Sequence, residues 1–99
     1  MKLEKKAEKK KKFGWVYLME DLSNGYYKIG WSKNAEYRER TLQSEKPTIC
    51  LLKKVWADFS VEKKVHEFYS AKRIRGEWFS LTKDELKDFV NIVESIKTK

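Results

Sequence analysis

The sequence predicts a small α/β (α+β) domain in which an antiparallel or mixed sheet is covered by helices. Three observations carry that expectation. Two short runs rich in aromatic and β-branched residues flank Asn24-Gly25, so the ordered part of the chain opens on a hairpin. Helical periodicity appears only after that hairpin. With 99 residues, 40% of them hydrophobic, the chain can fill one core and not two.

Residues 1–12 hold seven lysines and two glutamates and offer no apolar face to bury, which predicts a flexible lysine-rich tail ahead of a single domain spanning 13–99. That tail carries +5 of the net charge of +8, so the charge points to a polyanionic partner mainly through its first twelve residues. The single cysteine, Cys50, and single histidine, His66, exclude an intrachain disulfide or a Cys/His zinc cluster. No run approaches the roughly 20 apolar residues that a membrane span requires, and no apolar segment follows the first lysines. A free thiol and no membrane segment predict a cytoplasmic protein.

From Gly14 to Met19 the run Gly-Trp-Val-Tyr-Leu-Met reads as a strand buried on both faces. A two-residue type I′ turn at Asn24-Gly25 would pair Ser23 with Tyr26. That register puts Tyr17 and Lys28 on one face, and Val16, Leu18, Tyr27 and Ile29 on the other.

Asn34 to Gln43 follows as a helix capped by Asn34 or Ser32. On it Ala35, Arg38 and Leu42 recur at i, i+3 and i+7, so an arginine shares the inward stripe with two apolar residues. Ile49 to Trp56 is a third strand. A second helix, from about Phe59 to Tyr69, places Val61, Val65 and Phe68 inward and Glu62 and His66 together on one flank of that stripe. Ala71 to Gly76 reads as a basic connector, and Glu77-Trp78-Phe79 as a plug whose two rings close the core. Thr82-Lys83-Asp84-Glu85 is a capping box, stapled by Leu81 and Leu86, and the helix behind it buries Leu86, Phe89, Val90 and Val93.

Read from the residues alone, Arg38 is either a phosphate ligand or a half-buried salt-bridge arginine paired with Glu62. His66 is a metal ligand, a proton shuttle or a packed ring. Lys63, Lys72, Arg73 and Arg75 place positive charge beside Glu62, where they would neutralise phosphates.

Trp15-Val16-Tyr17 followed by Lys28-Ile29-Gly30, then Arg38 with Leu42, Glu62-x-x-x-His66 and Arg73-x-Arg75-Gly76-Glu77-Trp78-Phe79, resembles the GIY-YIG nuclease superfamily, and most closely its phage-type and meiotically-upregulated-gene branch. The resemblance implies a three-stranded, mainly antiparallel sheet flanked by helices. It implies phosphodiester hydrolysis in DNA, or RNA, at a divalent ion, Mg2+ or Mn2+, by a monomer or a homodimer. Glu62 falls at the metal position, Arg38 at the phosphate and Tyr17 at the group that orients or deprotonates water, with Lys28 replacing a tyrosine and depressing the Tyr17 pKa. Lys28 and His66 complete the catalytic set, and Gly30, Glu77, Trp78 and Phe79 form the structural motif. The late asparagine or glutamine of many active members has no counterpart here. The second reading is therefore an inactive nucleic-acid-binding module of the same fold.

Overall fold

A computed structural model of the chain describes residues 11–98. Strands β1 (Phe13–Asp21) and β2 (Tyr26–Ser32) form the expected hairpin, and helix α1 (Ala35–Gln43) leads into β3 (Ile49–Asp58). Helix α2 (Ser60–Phe68) is followed by a single 3-10 turn, two short strands, β4 (Arg73–Arg75) and β5 (Trp78–Phe79), and helix α3 (Lys83–Lys97). Every strand pair is antiparallel, and the order across the sheet is β3-β1-β2-β5-β4.

The sheet therefore has five strands among the described residues, not the three expected. The two additional strands are the segments read as a basic connector and a plug. At three and two residues they are too short to show a period-two pattern, and they exist because the edge of β2 supplies their partner: Tyr27 pairs with Phe79 and Lys28 with Trp78. The expected tail falls largely on residues 1–10, outside the described residues. Lys12 is already fastened to β3, its N–H donating to Asp58 Oδ1 at 2.7 Å and its carbonyl accepting from Phe59 N at 2.7 Å.

The hairpin register is shifted by two residues. Asp21 pairs with Tyr26 and Tyr17 with Gly30, so four residues, not two, make the turn. The cause is Asp21. Its buried carboxylate Oδ1 accepts from Ser23 N (2.9 Å), Ser23 Oγ (2.7 Å) and Thr48 Oγ1 (2.7 Å), and Lys46 Nζ lies 2.5 Å from Oδ2. These bonds draw Leu22 and Ser23 into the loop, and Gly25 closes it with φ +76 while Asn24 keeps a negative φ. A shift of two preserves parity, and Tyr17 and Lys28 still share a face.

That parity divides the core. Val16, Leu18 and Ile29 pack with Val55, Val61, Val65, Phe79, Phe89 and Val93 beneath α2 and α3. Tyr17, Met19, Ala35 and Ile49 make a smaller cluster beneath α1, with Trp15, Leu42, Leu51 and Trp78 against it. Trp78 and Phe79 thus plug opposite faces, as successive strand residues must. Phe68, expected inside, is 56% exposed. Helix α2 ends at that residue, and Tyr69 turns inward in its place. The capping box of α3 forms, with Glu85 N donating to Thr82 Oγ1 at 3.1 Å and Thr82 N to Glu85 Oε1 at 2.8 Å.

Candidate nucleic-acid site

Strand pairing between β2 and β5 ends at Lys28, Ile29 N still donates to the Glu77 carbonyl at 3.0 Å, and beyond Ile29 no described strand covers that edge of β2. The site lies at that opening. Tyr17 reaches it across β2 because its partner is Gly30: a Cβ at position 30 would collide with the phenol oxygen and come within 2.5 Å of Cζ. Only a glycine lets the ring lie flat over the neighbouring strand.

Arg38, half-buried on α1, lies close enough to the Tyr17 phenol to pull its pKa down. Of the two roles open to it, pairing with Glu62 is not the arrangement found. Burial pushes the Tyr17 pKa above its ordinary value, the Arg38 hydrogen bond opposes this, and the negative charge of Glu77 and Glu62 adds to the rise. The expected depression by Lys28 is thus reversed in direction. Lys28 is turned away to Glu77, with Nζ 2.7 Å from Oε1 and 5.7 Å from the centre of the Trp78 ring.

Glu62, in the first turn of α2, arrives from the other face around the open edge. Burial raises its pKa to about 7, helped by the charge of Glu77 and a hydrogen bond with it, while Lys28 pulls the other way. Burial and the neighbouring charge of Glu77 thus both favour the protonated form of Glu62. Sequence reasoning gave Glu77 a structural part and missed this contact. The available signal was its place directly after Gly76, which turns the chain with φ +54.

His66 lies one turn along α2 from Glu62, with Nε2 3.5 Å from Glu62 Oε2. Nε2 is also 2.8 Å from the Ile29 carbonyl, and Nδ1 is 3.1 Å from a guanidinium nitrogen of Arg73. The carbonyl accepts only, so Nε2 carries the proton and Nδ1 accepts from Arg73. Both ring nitrogens are engaged, and the ring stands edge-on to Phe79 at 5.1 Å. In this arrangement His66 is a packed, oriented histidine that fixes Arg73.

The basic residues divide. Lys63 and Arg73 line an open groove with Lys11, Lys12 and His66, and Asp58, Glu62, Glu67 and Glu77 balance their charge there. Lys72 is instead paired with Glu85 at 3.3 Å, and Arg75 lies beside Trp78 and Tyr26 near the hairpin turn. Among the described residues, no three His, Cys, Asp or Glu side chains converge as a metal cluster. Two carboxylates near a phenol oxygen nevertheless fit a hard cation that keeps several waters, and such an ion would offset the burial and the Glu77 repulsion that lift the Glu62 pKa.

The T5orf172 domain matches residues 14–94, and the chain belongs to that family. This corrects the family its motifs resemble: T5orf172 is a different family, and no GIY-YIG family matches. The motif residues record a local geometry, an aromatic ring laid across a glycine of the paired strand, and that geometry does not by itself define a family. No curated protein and no solved structure matches the chain. Membership fits a protein that acts on nucleic acid. No helix among the described residues is long and apolar enough to cross a membrane.

Proposed function

We propose that the protein is a cytoplasmic, metal-dependent endonuclease that hydrolyses phosphodiester bonds in DNA at the Tyr17, Arg38, Glu62 and Glu77 site. The observation that carries this reading is that Glu62 and Glu77 lie near the Tyr17 phenol and Arg38, with Lys63 and Arg73 in the adjoining groove.

The groove cations Lys63 and Arg73 take the phosphates flanking the reacting one. Arg38 offers a planar fork of donors that stays charged at all working pH, which suits the negative charge gathering on the phosphoryl oxygens. Tyr17, kept protonated by burial, orients the attacking water by hydrogen bonding and leaves proton removal to solvent. As water attacks phosphorus, its proton passes to bulk water while the phosphorus–oxygen bond on the opposite side breaks and the leaving oxygen is protonated from solvent. Glu62 and Glu77 would hold Mg2+ or Mn2+, which when bound polarises the phosphate and lowers the pKa of its water.

Incubating supercoiled plasmid with the protein tests the reading. Nicking should require Mg2+ or Mn2+, stop with EDTA and vanish in Glu62→Gln. DNA retention without cleavage under all these conditions would leave an inactive binding module.

A further inference from the structure

Beside Tyr17 the sheet carries an uncovered row of aromatic rings. Phe13, Trp15 and Tyr17 alternate along β1 and so share a face, and the residues directly opposite on β3 are Asp58, Trp56 and Lys54. Helix α1 covers only the end of this face that holds Tyr17, Met19 and Ile49. Beyond it Trp56 is 48% exposed and Phe13 45% exposed. Their rings lie nearly parallel, 15° apart with centres at 6.2 Å, and Trp15 meets Trp56 edge-on at 5.0 Å. Two strand residues separate Trp15 from Tyr17, about 7 Å, and Phe13 lies about 14 Å from it.

One cation stands over the row: Lys54 Nζ sits 4.2 Å above the Trp15 ring. The acids nearby are already engaged: Asp58 accepts from Ser60 N, Ser60 Oγ and Lys12 N, and Glu36 is bonded to Lys54. A flat aromatic surface with an ammonium over one ring, on the same face of β1 as Tyr17 and in a chain whose family fits action on nucleic acid, matches the flat face of an unpaired base. A duplex keeps its bases stacked inside and offers such a surface nothing to stack on.

We infer that Phe13 and Trp56, braced by Trp15, form a platform on which an unpaired nucleobase stacks roughly one or two nucleotides from the phosphate at Tyr17 and Arg38, so that the preferred substrate is single-stranded or locally unpaired DNA. This rests on the hydrolase reading for its placement of the reacting phosphate, and it fixes the substrate class that reading leaves open.

The test is fluorescence anisotropy in EDTA with oligothymidine, with the same strand carrying abasic residues throughout, and with a duplex of equal length. Wild-type protein should bind oligothymidine more tightly than the duplex and lose roughly 5- to 100-fold on the abasic strand. Trp56→Ala should show that same loss on oligothymidine and almost none on the abasic strand. Trp56→Phe should retain most of the binding, with circular dichroism confirming that each variant is folded. Equal binding of the two strands by wild type, or an equal loss on both in Trp56→Ala, overturns the platform. So does sedimentation showing a dimer that Trp56→Ala dissociates while base dependence is unaltered, because the row would then be a contact between copies. Plasmid nicking is scored separately. Nicking with base-independent binding removes the platform alone, and base-dependent binding without nicking removes the hydrolase reading alone.

Discussion

Tyr17 lies across Gly30, its cross-strand partner, so closely that a single added methyl group would overlap the phenol. The site is therefore built on a missing side chain. Gly30→Ala should cost about 1–3 kcal/mol, as overpacked cores do, because the ring is held by the cluster beneath α1 and cannot swing clear. Urea unfolding should report the loss, and nicking by the folded fraction should fall as well, since the phenol can no longer meet Arg38. A variant with unchanged stability would show that the ring has another resting place.

The pH dependence of stability should carry the signature of Glu62. Its folded pKa, about 7, lies above the ordinary carboxylate value, so between roughly pH 4.3 and 7 the folded state binds the extra proton. Stability contributed by this group is full below that window and declines as pH rises through it. Urea midpoints measured from pH 4 to 8 should fall for wild type relative to Glu62→Gln. Glu77→Gln removes the neighbouring charge, so it should shift the decline to lower pH. Adding Mg2+ above pH 7 should restore stability to wild type and not to Glu62→Gln.

Asp21 should act in the opposite sense. Burial alone would raise its pKa, but the Lys46 ammonium and the donors of Thr48 and Ser23 outweigh it and hold the carboxyl far below the ordinary range. Its contribution is present above the unfolded pKa and is lost as pH falls into the acid range. Asp21→Asn should cost about 1.5–3 kcal/mol, the usual worth of hydrogen bonds to a charged group, with the largest difference from wild type near neutrality. Because this carboxylate sets the turn length, amide exchange should also quicken at Ser23 and Gly25. Equal urea midpoints for variant and wild type at pH 7 would show that the loop holds itself.

Elements with their own local signal were legible in the sequence. The capping box of α3, the Asn34 cap of α1 and the alternation that sets Tyr17 apart from Val16 and Leu18 all depend on neighbours a few residues away. The turn was misread because its length is decided by Thr48 and Lys46, more than twenty residues from Asp21, and no short-range rule contains them. The five-stranded sheet was missed for the same reason: Arg73–Arg75 and Trp78–Phe79 are strands only because the edge of β2 is there to pair with. At the site, spacing brought Arg38 and Glu62 inward but could not show that Glu77 meets Glu62, or that Lys28 turns to Glu77 and leaves Tyr17.

The sharpest expectation concerns how Arg38, Glu62 and Tyr17 fail together. Glu62→Gln keeps the shape of the side chain and removes its charge, so folding and DNA retention should persist while nicking drops below detection. Arg38→Ala should weaken both retention and rate, because the guanidinium meets phosphate in the ground state and stabilises the charge that develops later. Tyr17→Phe should lower the rate by roughly 100- to 1,000-fold with little change in affinity, as expected for loss of one donor acting on the transition state. The Arg38 and Tyr17 effects should not add, since the phenol is oriented by the guanidinium it would be losing. Single-turnover nicking by the two single variants and the double variant settles this. A double variant that loses the product of the two single losses would mean that Arg38 and Tyr17 act independently.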